Sequence, residues 1–236
     1  MRIVVKVGTS TLAHPSGLLN IRHTEDLVRV WSDIQNAGHQ LIVVSSAATG
    51  LGAGKLQIEK PGDLVTKQAA AAVGQCRMMH IYDKLFSEYN RSVAQILLTG
   101  DDVEDPDRAD HLRSTFSALL EMGVIPVVNE NDSVSSAEIE TGRHKVLGDN
   151  DTLSAVVAGL CGAQGLIILT DIDGLYDSDP RKNPQARRIP RVEEITPAVE
   201  ELAGGAGSNR GTGGMATKLK AAQIVTEVGC QMVIAN

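Results

Sequence analysis

Short, nearly continuous apolar runs recur along this chain at intervals too long for hairpins: Ile3 to Val7, Leu41 to Val44, Val93 to Leu98, Val124 to Val128, Leu166 to Thr170 and Gln231 to Ala235. A strand that is apolar at consecutive positions is covered on both faces, the mark of a parallel sheet between layers of helices. The segments between the runs carry helical spacing. Asn20 reads as a cap before Leu27, Val30, Trp31 and Ile34, which share a face, and Gly38 ends that helix. An Ala- and Met-rich helix is expected from about Thr66 to Tyr89 with a bend near Gly74, and another from Arg108 to Met122, ended by Gly123. Asp151 opens a further helix with Leu153, Val156, Val157 and Leu160 on one side, and Met215 to Val228 forms the last. Ser45 to Lys55 reads as a loop, and the stretch after Arg181 as polar Pro/Gly-rich loops. Strands alternating with helices of this length give an α/β fold with right-handed crossovers. At 236 residues, one domain is expected.

Two polar clusters stand where such a fold binds ligands. Asn129-Glu130-Asn131-Asp132 ends an apolar strand, and Gly148-Asp149-Asn150-Asp151 begins a helix. Ligands of open parallel sheets sit outside the carboxyl ends of the strands. Turns and a helix cap explain one or two such residues but not two dense groups, so a polar substrate site is expected. Lys6 lies inside an apolar strand, where an ammonium is costly unless it reaches an anion or snorkels to solvent. With Lys218, and with the carboxylates of Asp151 and Asp171 near predicted element ends, it suggests a charged centre for phosphoryl transfer.

Two glycine-rich stretches fit known motifs badly. Gly50-Leu-Gly-Ala-Gly54 has the wrong spacing for a dinucleotide fingerprint, and no acidic residue follows where a ribose would need one. Gly211-Thr-Gly-Gly-Met-Ala-Thr-Lys218 is not a Walker A loop, because Leu219 stands where Ser or Thr should hold magnesium. Its amides and the helix start behind it can still meet a phosphate, and a plain linker fits that segment equally well.

The net charge of −7 and an aromatic content of only 3% argue against a nucleic-acid surface. Cys76, Cys161 and Cys230 are far apart and read as free buried thiols of a reducing cytoplasm rather than metal ligands. The uncharged stretch Thr152 to Thr170 is long enough to mimic a membrane span, but Gly162-Ala-Gln-Gly165 divides it into a helix and a strand. No membrane association is expected.

The segments Val4-Val-Lys-Val-Gly-Thr-Ser10, Ala72-Val-Gly-Gln75, Val127-Val-Asn-Glu-Asn-Asp132, Gly148-Asp-Asn-Asp-Thr-Leu-Ser-Ala155, Leu169-Thr-Asp-Ile-Asp-Gly-Leu-Tyr176 and Gly211 to Lys218 together resemble the glutamate 5-kinase family of the amino acid kinase superfamily. The resemblance runs in order along essentially the whole chain. It implies a three-layer sandwich with a largely parallel central sheet and helices on both faces. It also implies ATP- and Mg2+-dependent phosphorylation of the L-glutamate side-chain carboxylate, the first step of proline synthesis. Proline as feedback inhibitor and a homo-oligomer, dimer or tetramer, are implied as well. Carried over motif by motif, Lys6, Lys218 and Asp151 would be catalytic, with Asp151 orienting the lysines. Ser46, Asp132 and Asn150 would bind glutamate. Lys6, Thr170, Asp171, Thr212, Gly213, Gly214, Met215, Ala216, Thr217 and Lys218 would bind the nucleotide. The first part of the domain, to about residue 160, would then serve the amino acid, and residues from about 161 to 236 the nucleotide.

Three departures from the family pattern stand out. Ala47 replaces a glycine that could serve either a positive φ or room for a phosphate, and the neighbouring Ala48 and Thr49 favour room. Glu140 to Leu147 is longer than in some members, on the loop expected to respond to proline. The sequence stops at Asn236, where the family continues into further strands and often a PUA domain, so a kinase domain without PUA is expected. The competing readings are another amino acid kinase, acting on acetylglutamate, aspartate or carbamate, and a ligand-sensing pseudokinase. The paired Asn/Asp clusters count against the first, and Lys6, Asp151 and Lys218 against the second.

Overall fold

A computed structural model describes residues 1–14, 16, 18–59, 61–134, 147, 149–203 and 214–236. Six parallel strands form the central sheet: β1 (Arg2–Val7), β2 (Gln40–Ser45), β3 (Val93–Leu98), β4 (Ile125–Glu130), β5 (Gly165–Leu169) and, last in the chain, β8 (Gln231–Ala235). Their spatial order is β3-β4-β2-β1-β5-β8. β1 lies inside the sheet, with Val5 opposite Val43 of β2 and Ile167 of β5. The connection after β1 leads to β2 on one side, and that after β5 leads to β8 on the other. A crevice therefore opens between the carboxyl ends of β1 and β5, the point where ligands of such sheets bind.

Alternate residues of each strand feed opposite cores. Val5, Val7, Leu41, Val43, Ile125 and Val127 pack against α2 (Ile21–Asn36) and α4 (Leu64–Ser87), where Trp31, Tyr82 and Phe86 meet with ring centroids 6.3 Å apart. Val4, Ile42, Val44, Val128, Leu166 and Ile168 face α6 (Pro106–Glu121), α7 (Asn150–Cys161) and α9 (Met215–Glu227). The expected three-layer sandwich is thus present. Lys6, two residues beyond Val4, shares the α7 face.

The element ends follow local chemistry. The side chain of Asn20 accepts from the His23 amide as expected, and Asp149 caps α7 by accepting from the amides of Asp151 and Thr152. Gly162 ends α7 in the left-handed region, so the uncharged stretch is divided as read. Among the described residues no helix is long and apolar enough to cross a membrane. Several short elements carry no readable periodicity: α1 (Thr9–Leu12), α5 (Gly100–Glu104) with its Thr99/Asp102 capping box, β6 (Leu175–Tyr176), β7 (Arg188–Ile189) and α8 (Pro197–Leu202). Strand β4 also runs two residues past the expected stop, through Asn129 and Glu130. Cys161 and Cys230 are buried free thiols, whereas Cys76 is exposed on α4 because its helical position faces away from both cores.

The stretch read as a loop after β2 is instead a helix, α3 (Ala48–Leu56), lying directly on α4. Its glycines are packing residues. A Cβ on Gly52 would fall inside the carbonyl oxygen of Ala70, and one on Gly74 inside that of Ala48. Gly74, read as a possible bend, thus marks the point where two backbones touch. Gly52→Ala and Gly74→Ala are each expected to lower stability by about 3 kcal/mol, since helix separation is the only relief. Gly159→Ala, with open space at its Cβ, should instead raise it by roughly 0.5–1 kcal/mol. Thermal melts of the three variants check this ordering.

Candidate active site

One buried carboxylate gathers two lysines from distant parts of the chain. Asp151, in the first turn of α7, is 1% exposed, while Lys6 and Lys218 are 8% and 5% exposed. Lys6 Nζ lies 2.8 Å from Asp151 Oδ1, and Lys218 Nζ 3.2 Å from Oδ2. The Thr217 hydroxyl is 2.8 Å from the same Oδ2 and 2.7 Å from the Gly214 carbonyl, two acceptors for its one proton. Burial by itself would raise the Asp151 carboxyl. The two ammonium groups and the Thr217 hydroxyl outweigh it and hold the carboxyl below its usual range. Two cations on one anion leave a net positive charge, and all three side chains line one cavity. A Cβ on Gly8 would sit 3.5 Å from the Lys6 ammonium, in ordinary contact with it.

The cavity measures about 1070 Å³ and spans the crevice between β1 and β5. Ser46, Asp132 and Asn150 line one part of it. The Ser46 hydroxyl donates to the Val7 carbonyl at 3.2 Å, which ties the end of β2 to the end of β1. Asn150 Nδ2 donates to Asn129 Oδ1 at 3.1 Å, and Asn129 Nδ2 to Gln75 Oε1 at 3.1 Å. The two polar clusters read from sequence therefore meet through this contact. Burial, with the nearby Glu130 carboxylate, pushes the Asp132 carboxyl up to about 6.

Thr170, Asp171, Gly214 and Met215 line the opposite part. The Thr170 amide donates to the Ala235 carbonyl at 2.9 Å, so β8 anchors the turn after β5. Ala216 is exposed and does not line the cavity, because it points outward from the first turn of α9. Thr217 stands behind the lining, on Asp151. Thr212 and Gly213, with most of the expected proline-responsive loop, lie outside the described residues. Arg181 and Lys182 also line the cavity and were not singled out from sequence. Arg181 donates to Asp179 at 3.1 Å and lies 3.8 Å from Asp171. Two adjacent cations at the start of the polar stretch were the available signal. Among the described residues no group of three His, Cys, Asp or Glu could hold a metal.

The profile described as "Amino acid kinase family" matches residues 1–236. The chain belongs to the amino acid kinase family. It is 55% identical to a protein named glutamate 5-kinase from Clostridium perfringens, over 100% of this chain and 87% of that one. It is 54% identical to another so named from Clostridium acetobutylicum, over 100% of this chain and 86% of that one. The fold resembles that of carbamate kinase from Giardia lamblia bound to AMP-PNP, with a TM-score of 0.64, 12% identity, and coverage of 100% of this chain and 92% of that chain.

In this amino acid kinase, Ala47 has a clear structural reason to stand out. It turns the chain from β2 into α3 at φ 85° and ψ −6°, in the left-handed region. The position therefore requires a positive φ, the need that the sequence reading had weighed below room for a phosphate, and Ala47 also lines the cavity. Ala48 and Thr49 gave a misleading signal because they belong to a helix, not to a loop free of glycine. Ala47→Gly removes a left-handed strain larger than the unfolded-state entropy it adds, so stability should rise by about 1 kcal/mol. A higher melting temperature for Ala47→Gly than for the parent chain checks this.

Proposed function

We propose that this chain transfers the γ-phosphoryl group of ATP, bound with magnesium, to the side-chain carboxylate of L-glutamate, the first step of proline synthesis in the cytoplasm. The observation that carries the reading is the buried Lys6–Asp151–Lys218 centre, whose surplus positive charge faces the cavity at the crevice of the sheet. The likeness to proteins named glutamate 5-kinase supports glutamate as the acceptor. A carboxylate nucleophile with a pKa of about 4.3 is already ionised at neutral pH, so the reaction needs no general base. The barrier comes from bringing one anion onto another. Positioning and fixed positive charge are what lower it.

Within this proposal, Lys6 and Lys218 contact the phosphates and stabilise the transferring group, while Asp151 keeps both ammonium groups aimed at one point. Ser46, Asp132 and Asn150 hold glutamate, with Asp132 facing its ammonium. Thr170, Asp171 and the segment ending at Lys218 hold the nucleotide. Residues to about 160 thus serve the amino acid, and those from about 161 onward the nucleotide. Proline carries the same α-ammonium and α-carboxylate as glutamate and would compete for Asp132. A coupled assay of ADP release tests the reading, with glutamate, acetylglutamate, aspartate and carbamate as acceptors. Release stimulated by glutamate alone supports it, and stimulation by another acceptor, or none, refutes it.

Lys6→Ala and Lys218→Ala should each lower kcat far more than they raise the glutamate KM, since both charges act on the transition state. The double variant should lose much less than the product of the single losses, because the lysines serve one phosphoryl group. Steady-state kinetics of the three variants read this directly.

A pH dependence follows from Asp132. With its carboxyl at about 6 in the free protein, lowering the pH through 6 neutralises it and removes the partner of the substrate ammonium. The glutamate KM is expected to rise as pH falls below 6 and to be flat above. Asp132→Asn should raise KM above pH 6 to about the level the parent reaches at low pH and abolish that dependence, while the ATP KM stays unchanged.

A further inference from the structure

Three amides stand in line beneath the acceptor part of the cavity. Asn150, which lines the cavity, donates to Asn129 on β4, and Asn129 donates to Gln75 on α4, each at 3.1 Å. Asn129 is 3% exposed and Gln75 8%. Each link uses an amide nitrogen as donor and a carbonyl oxygen as acceptor, so the line has one polarity from the cavity to α4. It ends at Gln75, whose Nε2 is buried with no hydrogen-bond partner among the described residues. A buried unpaired donor costs stability, and the helix around it is apolar or small at Ala71, Gly74 and Met78. Stability alone would place an apolar side chain there. What Gln75 contributes is its Oε1, held where Asn129 needs an acceptor. Its backbone is fixed by the neighbouring Gly74, which touches α3 with no side chain between.

We propose that Gln75 is a positioning residue for the phosphate acceptor: through Asn129 it commits the Asn150 amide nitrogen to the interior and leaves the Asn150 carbonyl oxygen for a substrate ammonium. The proposal rests on the reading of Asn150 as an acceptor-binding residue. Without the Gln75 oxygen, Asn129 can turn its amide, and Asn150 then loses its preferred orientation. The effect falls on the amino acid and not on ATP, because no link of the line reaches Thr170, Asp171 or Lys218.

Gln75→Met keeps the length of the side chain and removes the oxygen. Steady-state kinetics of the full chain should show a glutamate KM raised about tenfold, with the ATP KM and kcat little changed. In an Asn150→Ala background the same substitution should add nothing, since the group it positions is gone. Gln75→Glu retains an oxygen to accept from Asn129 and should keep most of the parent glutamate KM. An unchanged glutamate KM in a folded Gln75→Met protein overturns the proposal. So do equal rises for glutamate and ATP, or losses that multiply with Asn150→Ala. Failure of both Gln75 variants to fold also overturns it, by making Gln75 a core residue. Absence of glutamate turnover in the unsubstituted chain is seen before any variant is made and removes the reading of the site together with the inference.

Discussion

A lone carboxylate held between two ammonium groups sets the geometry of the whole cavity. Asp151 reaches Lys6 on a strand near the start of the chain and Lys218 on a helix near its end. Neither lysine has another carboxylate partner in the described ion pairs, so both depend on the position of the α7 N-terminus. That terminus is fixed by the Asp149 cap, whose oxygen takes the two amides that begin the helix. Removing Asp151 would leave two buried cations uncompensated, a cost typical of breaking a buried ion pair. The two lysines outnumber the one carboxylate, so the centre carries a surplus positive charge.

Around this centre, the two helical layers do different work. On one side, α7 and α9 bring charge to the sheet. On the other, α4 backs the part of the cavity near Ser46 and Asn150 without entering it, through Gln75 and through Tyr82, whose hydroxyl lies 3.0 Å from the Ser45 hydroxyl. Burial drives the Tyr82 phenol well above its usual value, so it stays neutral and serves as a hydrogen-bonding strut. The left-handed turn at Ala47 then directs α3 onto α4, and strain at that residue is carried by the contact the turn makes possible.

The strands were legible because burial on both faces leaves uninterrupted apolar runs, and β3 and β8 have the bounds their runs predict. The helix cap at Asn20 was legible because an Asx side chain before a periodic segment has one common use. The helix α3 was not, since a glycine-rich sequence suggests a loop until the partner that requires those glycines is known. The positive φ at Ala47 was underweighted for the same reason: a backbone angle leaves no mark in side-chain chemistry. At the site, the residue types and their placement at element ends pointed to Lys6, Asp151, Asp171 and Lys218, and the structure joins all but Asp171, which instead faces Arg181 at 3.8 Å. Gln75 was visible only as part of a family segment, because a buried amide in the middle of a helix acquires meaning from what lies across the sheet.

The interior position of β1 has a consequence for how motion can be divided in this protein. Hydrogen-bonded on both edges and covered on both faces, β1 belongs to the part of the fold whose amides should exchange with solvent only on global opening. Lys6 therefore rides on one of the slowest-exchanging segments in the chain. Arg181 and Lys182, in contrast, sit on an exposed turn whose ion pairs are mostly solvated and whose opening is local. One wall of the cavity is thus anchored to the global stability of the protein, while the wall facing it can breathe on its own.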